Sequence, residues 1–88
     1  MNSKTSTPAV KTPVRPLFEI AMEIKKDWVK MYFGAVPYYQ AMRQLNTIND
    51  MYGCDTAYSI VVYFLANAST WKGLKAREIK EELKKMLK

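Results

Sequence analysis

The stretch that decides the fold is Ala57-Tyr58-Ser59-Ile60-Val61-Val62-Tyr63-Phe64-Leu65-Ala66-Asn67-Ala68, a run broken only by Ser59 and Asn67. Two readings compete. Ile60 to Phe64 is β-branched and aromatic, the composition that strands favour. A lone strand, however, leaves its N–H and C=O groups unpaired, and no second strand-like segment stands elsewhere in the chain. The run is therefore read as a buried central helix, with Asp55 or Thr56 as its N-cap.

Working toward the N-terminus, Phe33-Gly34-Ala35-Val36-Pro37 reads as a turn, and Pro37 suits the first position of a helix. From there Tyr38, Ala41, Met42, Leu45, Ile48 and Tyr52 share one face, and Gly53 is a plausible stop. Tyr39 falls on the opposite, polar side and begins a row with Arg43, Asn46 and Asp50. Earlier still, Leu17, Ile20, Ala21, Ile24, Trp28 and Met31 form one helical face starting at Pro16 or Leu17. Phe18, Met22 and Val29 make a second apolar stripe beside it, which predicts contact with two neighbours. Toward the C-terminus, Ser69-Thr70 are candidate caps for a last helix whose buried stripe is Ala76, Ile79, Leu83, Met86 and Leu87.

These elements predict an all-α fold, a small bundle of about four helices over residues 16–88. Residues 1–15 differ in kind. They hold Pro8, Pro13, Ser3, Ser6 and three threonines, and bury too little to offset their ordering entropy, so they are read as a flexible basic tail.

Composition removes several function classes. The chain has 88 residues, no His and one Cys. Without His there is no Ser-His or Cys-His nucleophile pair and no ordinary zinc site. One Cys excludes an internal disulfide, which suits a reducing compartment. Cys54 is read as a passive turn residue. No apolar stretch approaches membrane-span length, and none near the start resembles a signal peptide. The expectation is a non-enzymatic, cytoplasmic binding protein with no catalytic residues, no metal and no cofactor.

The net charge of +6 is uneven. Residues 1–16 contribute +3, residues 17–71 sum to −1, and residues 72–88 contribute +4. On the last helix Arg77, Lys80, Lys84 and Lys88 follow one flank. Such a stripe suits a phosphate backbone, although Glu81 lies in the same flank and Asn, Gln and Ser, which read bases, are missing. A solvated helix face that aids solubility and caps the helix is the favoured reading of the stripe.

Aromatic residues crowd the first turn: Trp28, Tyr32, Phe33, Tyr38 and Tyr39. Aromatic and Arg side chains dominate binding hot spots. Trp28 and Tyr38 also match the buried faces of their helices. Tyr39 on its polar side, with Arg43, Asn46 and Asp50, is the candidate contact row, and the Trp28–Phe33 region would anchor it.

Three stretches, Tyr32-Phe33-Gly34-Ala35-Val36-Pro37-Tyr38, Ile48-Asn49-Asp50-Met51-Tyr52-Gly53 and Tyr63 through Gly73, resemble small uncharacterised accessory proteins of tailed bacteriophages. The resemblance spans about residues 12–88 and carries no catalytic motif. It implies a phage gene product made in the host bacterial cytoplasm, of a size that often binds and modulates a host or phage protein. The leading expectation is thus a protein partner. Nucleic-acid binding through the basic tail and last helix is the alternative, and a homo-oligomeric structural role is a third. No membrane association is expected, because the apolar faces have a core to enter.

Overall fold

The computed structural model describes residues 14–88, so most of the expected tail lies outside the described residues. The elements run α1 (Leu17–Asp27), α2 (Val36–Met42), β1 (Met51–Tyr52), β2 (Asp55–Thr56), α3 (Ala57–Ala66) and α4 (Leu74–Met86). Four helices are present as expected, but the fold is not purely α. A short antiparallel hairpin pairs Met51 with Thr56 and Tyr52 with Asp55.

α1 begins where the sequence places it. Pro16 offers no side-chain cap, and the first helical amides find partners far along the chain. Leu17 N donates to the Asn46 carbonyl and Phe18 N to the Leu45 carbonyl, both at 2.9 Å. These two bonds satisfy orphan donors of the helix start. The Leu17, Ile20, Ala21 and Ile24 face is fully buried. α1 packs on α2 and on α4, the two neighbours expected of it. The second stripe takes no part in this, since Phe18, Met22 and Val29 are exposed.

α2 is the main departure. It spans seven residues and stops at Met42 instead of continuing to Gly53. The segment that follows is folded by its own polar side chains. Asp50 Oδ2 accepts from the backbone amides of Asn46 (2.8 Å) and Thr47 (3.0 Å), and Asn49 N donates to Thr47 Oγ1. Such local bonds compete with helix continuation. Gly53 then takes φ +61° in the two-residue turn of the hairpin, a left-handed backbone that favours glycine.

α3 is a helix, as the decisive stretch predicts. Thr56 Oγ1 caps it by accepting from Ser59 N at 3.1 Å. Ala57, Ile60, Val61 and Phe64 enter the core, whereas Tyr58, Val62 and Tyr63 remain exposed, so the helix is buried on one face only. α4 starts after Gly73, not at a Ser69 or Thr70 cap, and buries Ala76, Ile79 and Leu83. Helices α1 and α4 flank one another, and α2 covers α3.

Candidate functional site

The expected contact row does not form. Tyr39, Arg43, Asn46 and Asp50 would line up only on a continuous helix, and the helix ends first. Tyr39 is 9% exposed and belongs to the core, on a buried arc with Ala35 and Met42. Including Leu45, Ile48 and Tyr52, which lie beyond the helix, rotates the inferred buried face away from Tyr39. Arg43 lies over the Tyr39 ring, 5.9 Å from its centroid. Asp50 is committed to the turn, with Thr47 Oγ1 also donating to it at 3.0 Å. Those bonds, the Thr47 backbone amide first, hold the Asp50 carboxyl below its ordinary range. Asn46 is exposed, but its main chain serves both α1 and Asp50.

Trp28 is also core, 8% exposed, with its ring stacked against Trp71. Of the aromatic turn, Tyr32 and Phe33 stay outside, at 44% and 80% exposure. Their ring centroids are 4.9 Å apart. Tyr32 lies across Gly34: a Cβ at that glycine would meet Tyr32 Cε2 at 2.5 Å and Asn67 Oδ1 at 2.9 Å. Asn67, at the C-cap of α3, is held by a bond from Nδ2 to the Tyr63 carbonyl at 2.9 Å. The Tyr63 ring is half exposed and packs beside Tyr38, with centroids 5.6 Å apart. Tyr32 thus pairs with Phe33 and Tyr63 with Tyr38, and Asn67 connects the two pairs through Gly34 and the Tyr63 main chain.

Sequence reasoning missed Tyr63 and Asn67 because it placed both on a wholly buried helix. The available signal was their phase. On a helix started at Ala57, they fall on the side away from Val61.

The basic flank of α4 borders an open cleft of about 360 Å³, lined by Ser69, Trp71, Lys72, Arg77, Lys80, Glu81 and Lys84 among others. Lys88 is not part of the lining, and Lys72 joins the set although it precedes the helix. Lys80 Nζ donates to the Trp71 carbonyl at 2.7 Å and sits 5.9 Å from the centre of its ring. Burial, then the charges of Lys72 and Lys84, push the Lys80 ammonium pKa down.

Cys54 is exposed in the hairpin turn, with β2 separating it from α3. Among the described residues no group of three or more His, Cys, Asp or Glu could hold a metal ion, and no helix is long and apolar enough to cross a membrane. No protein-family model, curated protein or solved structure matches the chain.

Proposed function

We propose that this chain is a non-enzymatic binding module, a small helical bundle of phage-accessory type that acts in the host cytoplasm by occupying a surface of a host or phage protein. The contact surface is the aromatic patch of Tyr32, Phe33, Tyr38 and Tyr63. The observation that carries this reading is the exposure of Phe33 at 80% beside a half-exposed Tyr32. An aromatic ring left in water has a large apolar area available to a partner, and contiguous exposed patches of this kind mark interaction sites. Asn67 and the Tyr hydroxyls supply hydrogen-bonding groups around that apolar centre, as interfaces require.

Capture from bacterial lysate tests the reading when the chain is compared with a Tyr32→Ser/Phe33→Ser variant. A stoichiometric protein held by the first and lost by the second is the expected result. Recovery of no such protein, or equal recovery by both, overturns it.

A second reading rests on α1. Phe18 and Met22 are one turn apart and both exposed, which supports self-association through that face. Light scattering of the full chain at high concentration decides it: a monomer removes the oligomer.

A further inference from the structure

We propose that the cleft between the 69–73 turn and α4 is a second binding site, distinct from the aromatic patch, and that it takes the phosphate backbone of a nucleic acid without reading base sequence.

α4 divides its charges between two flanks. On one flank Lys75 and Glu82 turn toward α1, where Glu82 meets Arg15 and Lys75 lies 3.9 Å from Glu23. On the opposite flank Arg77, Lys80 and Lys84 line the cleft, joined by Lys72 from the preceding turn. Glu82 is thus spent on the far side, whereas Glu81 lines the cleft itself beside the four cations. Lys72, Arg77 and Lys80 have no carboxylate within ion-pair distance among the described residues, and Lys84 has only Glu81, at 3.9 Å on an exposed surface. Residues 1–13 contain no Asp or Glu that could fill the cleft. Four cations set against the single carboxylate of Glu81 raise one another's energy, and an anion entering the cleft relieves that repulsion.

The spacing selects a polyanion over a single ion. Arg77 and Lys84 are separated by about 10 Å along the helix axis, so the charges follow a line instead of converging on a point. One strand of duplex DNA presents a phosphate about every 3.4 Å of its axis, and several would fall within that span.

The lining argues against the other polyanions. A protein partner would need an apolar anchor within the cleft, but Trp71 and Ala76 are buried and the exposed Leu74, at the start of α4, is not in the lining. The same burial leaves no ring face on which a base could stack. Among the described residues no Asn or Gln lines the cleft to read base edges. What remains is contact with phosphates.

Lys80 is unsuitable for the first test because its ammonium also holds the Trp71 carbonyl. Lys72→Gln/Arg77→Gln is the better variant, since neither side chain has an ion-pair partner within the described fold. Binding of the full chain to a labelled mixed-sequence duplex of about 20 base pairs is followed by anisotropy between about 50 and 200 mM salt. The affinity should fall linearly on a log–log plot, and the slope should shrink by about two in the variant. A scrambled duplex should bind equally. The charge-matched control Lys25→Gln/Lys26→Gln on α1 should retain the original slope. Absence of binding at low salt overturns the proposal, as does an equal loss in the control pair. So does displacement of the duplex by polyglutamate as readily as by unlabelled duplex at equal charge, which would assign the cleft to an acidic protein.

Discussion

Trp28 and Trp71 stack with ring centroids 5.6 Å apart and planes 10° from parallel. They stand at the C-cap of α1 and in the turn before α4, 43 residues apart in the chain. Phe64 of α3 meets both edge-on, at 6.3 Å and 6.5 Å. Trp71 Nε1 also donates to Asp27 Oδ2 at 2.9 Å. The three rings join segments that the order of elements leaves separate. They also tie the core to the basic cleft, because Lys80 holds the Trp71 carbonyl.

Trp71→Ala should therefore cost about 3–5 kcal/mol, in the range of buried aromatic truncations. That is a large share of the roughly 5–15 kcal/mol available to a small domain. Trp71→Phe keeps part of the packing but leaves Asp27 without its donor, and its loss should be smaller. Urea melts followed by circular dichroism rank the variants. Equal midpoints for Trp71→Ala and the unmodified chain would show that the stack contributes nothing.

Arg15 forms a second long-range link. Its Nε and Nη2 donate to the two oxygens of Glu82 at 3.0 and 2.8 Å, and its Nη1 donates to Glu23 at 2.7 Å. Counted with the tail by sequence alone, it bridges α1 and α4. The Arg15 hydrogen bond, more than any charge alone, holds the Glu23 carboxyl below its ordinary 4.5. A depressed carboxylate pKa adds stability above the unfolded value, and that stability is lost as pH falls through the folded value. Arg15→Gln should lower stability at about pH 7 by about 1 kcal/mol, a modest figure because the group is partly solvated. The gap between variant and parent should narrow below about pH 4, where the Glu23 carboxylate takes up a proton in both. Urea midpoints across that range check it, and a gap that widens in acid would contradict the assignment.

Helical periodicity carried the sequence reading of α1 through Leu17, Ile20, Ala21 and Ile24, all buried, but overran its end, since the helix stops at Asp27 and Trp28 and Met31 lie beyond it. It also carried α3, where no second strand was available to compete. It failed after Met42, where Thr47, Asn49 and Asp50 fold the chain through side-chain bonds that have no period. The apolar spacing of Leu45, Ile48 and Tyr52 mimicked a helix that does not continue. That error moved Tyr39 to the surface and produced a contact row that the fold does not contain. Tyr32 and Phe33 were legible because the turn signal at Gly34 was local. The pairing of Tyr63 with Tyr38 was not, because it depends on how α3 is rotated against α2.

The same turn couples Asp50 to the start of α1. Asp50 orders Asn46 and Thr47, and the carbonyls of Leu45 and Asn46 receive the Leu17 and Phe18 amides. Asp50→Ala should speed hydrogen exchange at Asn46 and Thr47, whose donors lose their acceptor. It should also raise exchange at Leu17 and Phe18, about 30 residues earlier in the chain, through loosening of their acceptors. Residue-resolved exchange by NMR distinguishes the two effects. Unchanged Leu17 and Phe18 amides would mean that the loop and the α1 start are independent.

Gly34 separates the stability of the aromatic patch from its proposed use. A Cβ there would collide with Tyr32 Cε2 and Asn67 Oδ1, the far ends of two side chains at the surface. The Tyr32 ring is half exposed and Asn67 stands at a helix end, so Gly34→Ala should cost about 1 kcal/mol, the low end for added methyl groups. The displaced Tyr32 ring would no longer lie beside Phe33 and Asn67 in the same geometry. Partner capture should then fall sharply while the melting temperature changes little. Phe33→Ser provides the comparison. Its ring is almost fully in water, so its effect on stability should stay within about 0.5 kcal/mol, yet it should remove the same partner. If Gly34→Ala keeps the partner and Phe33→Ser loses it, Phe33 alone anchors the contact and the arrangement of Tyr32 over Gly34 is only packing.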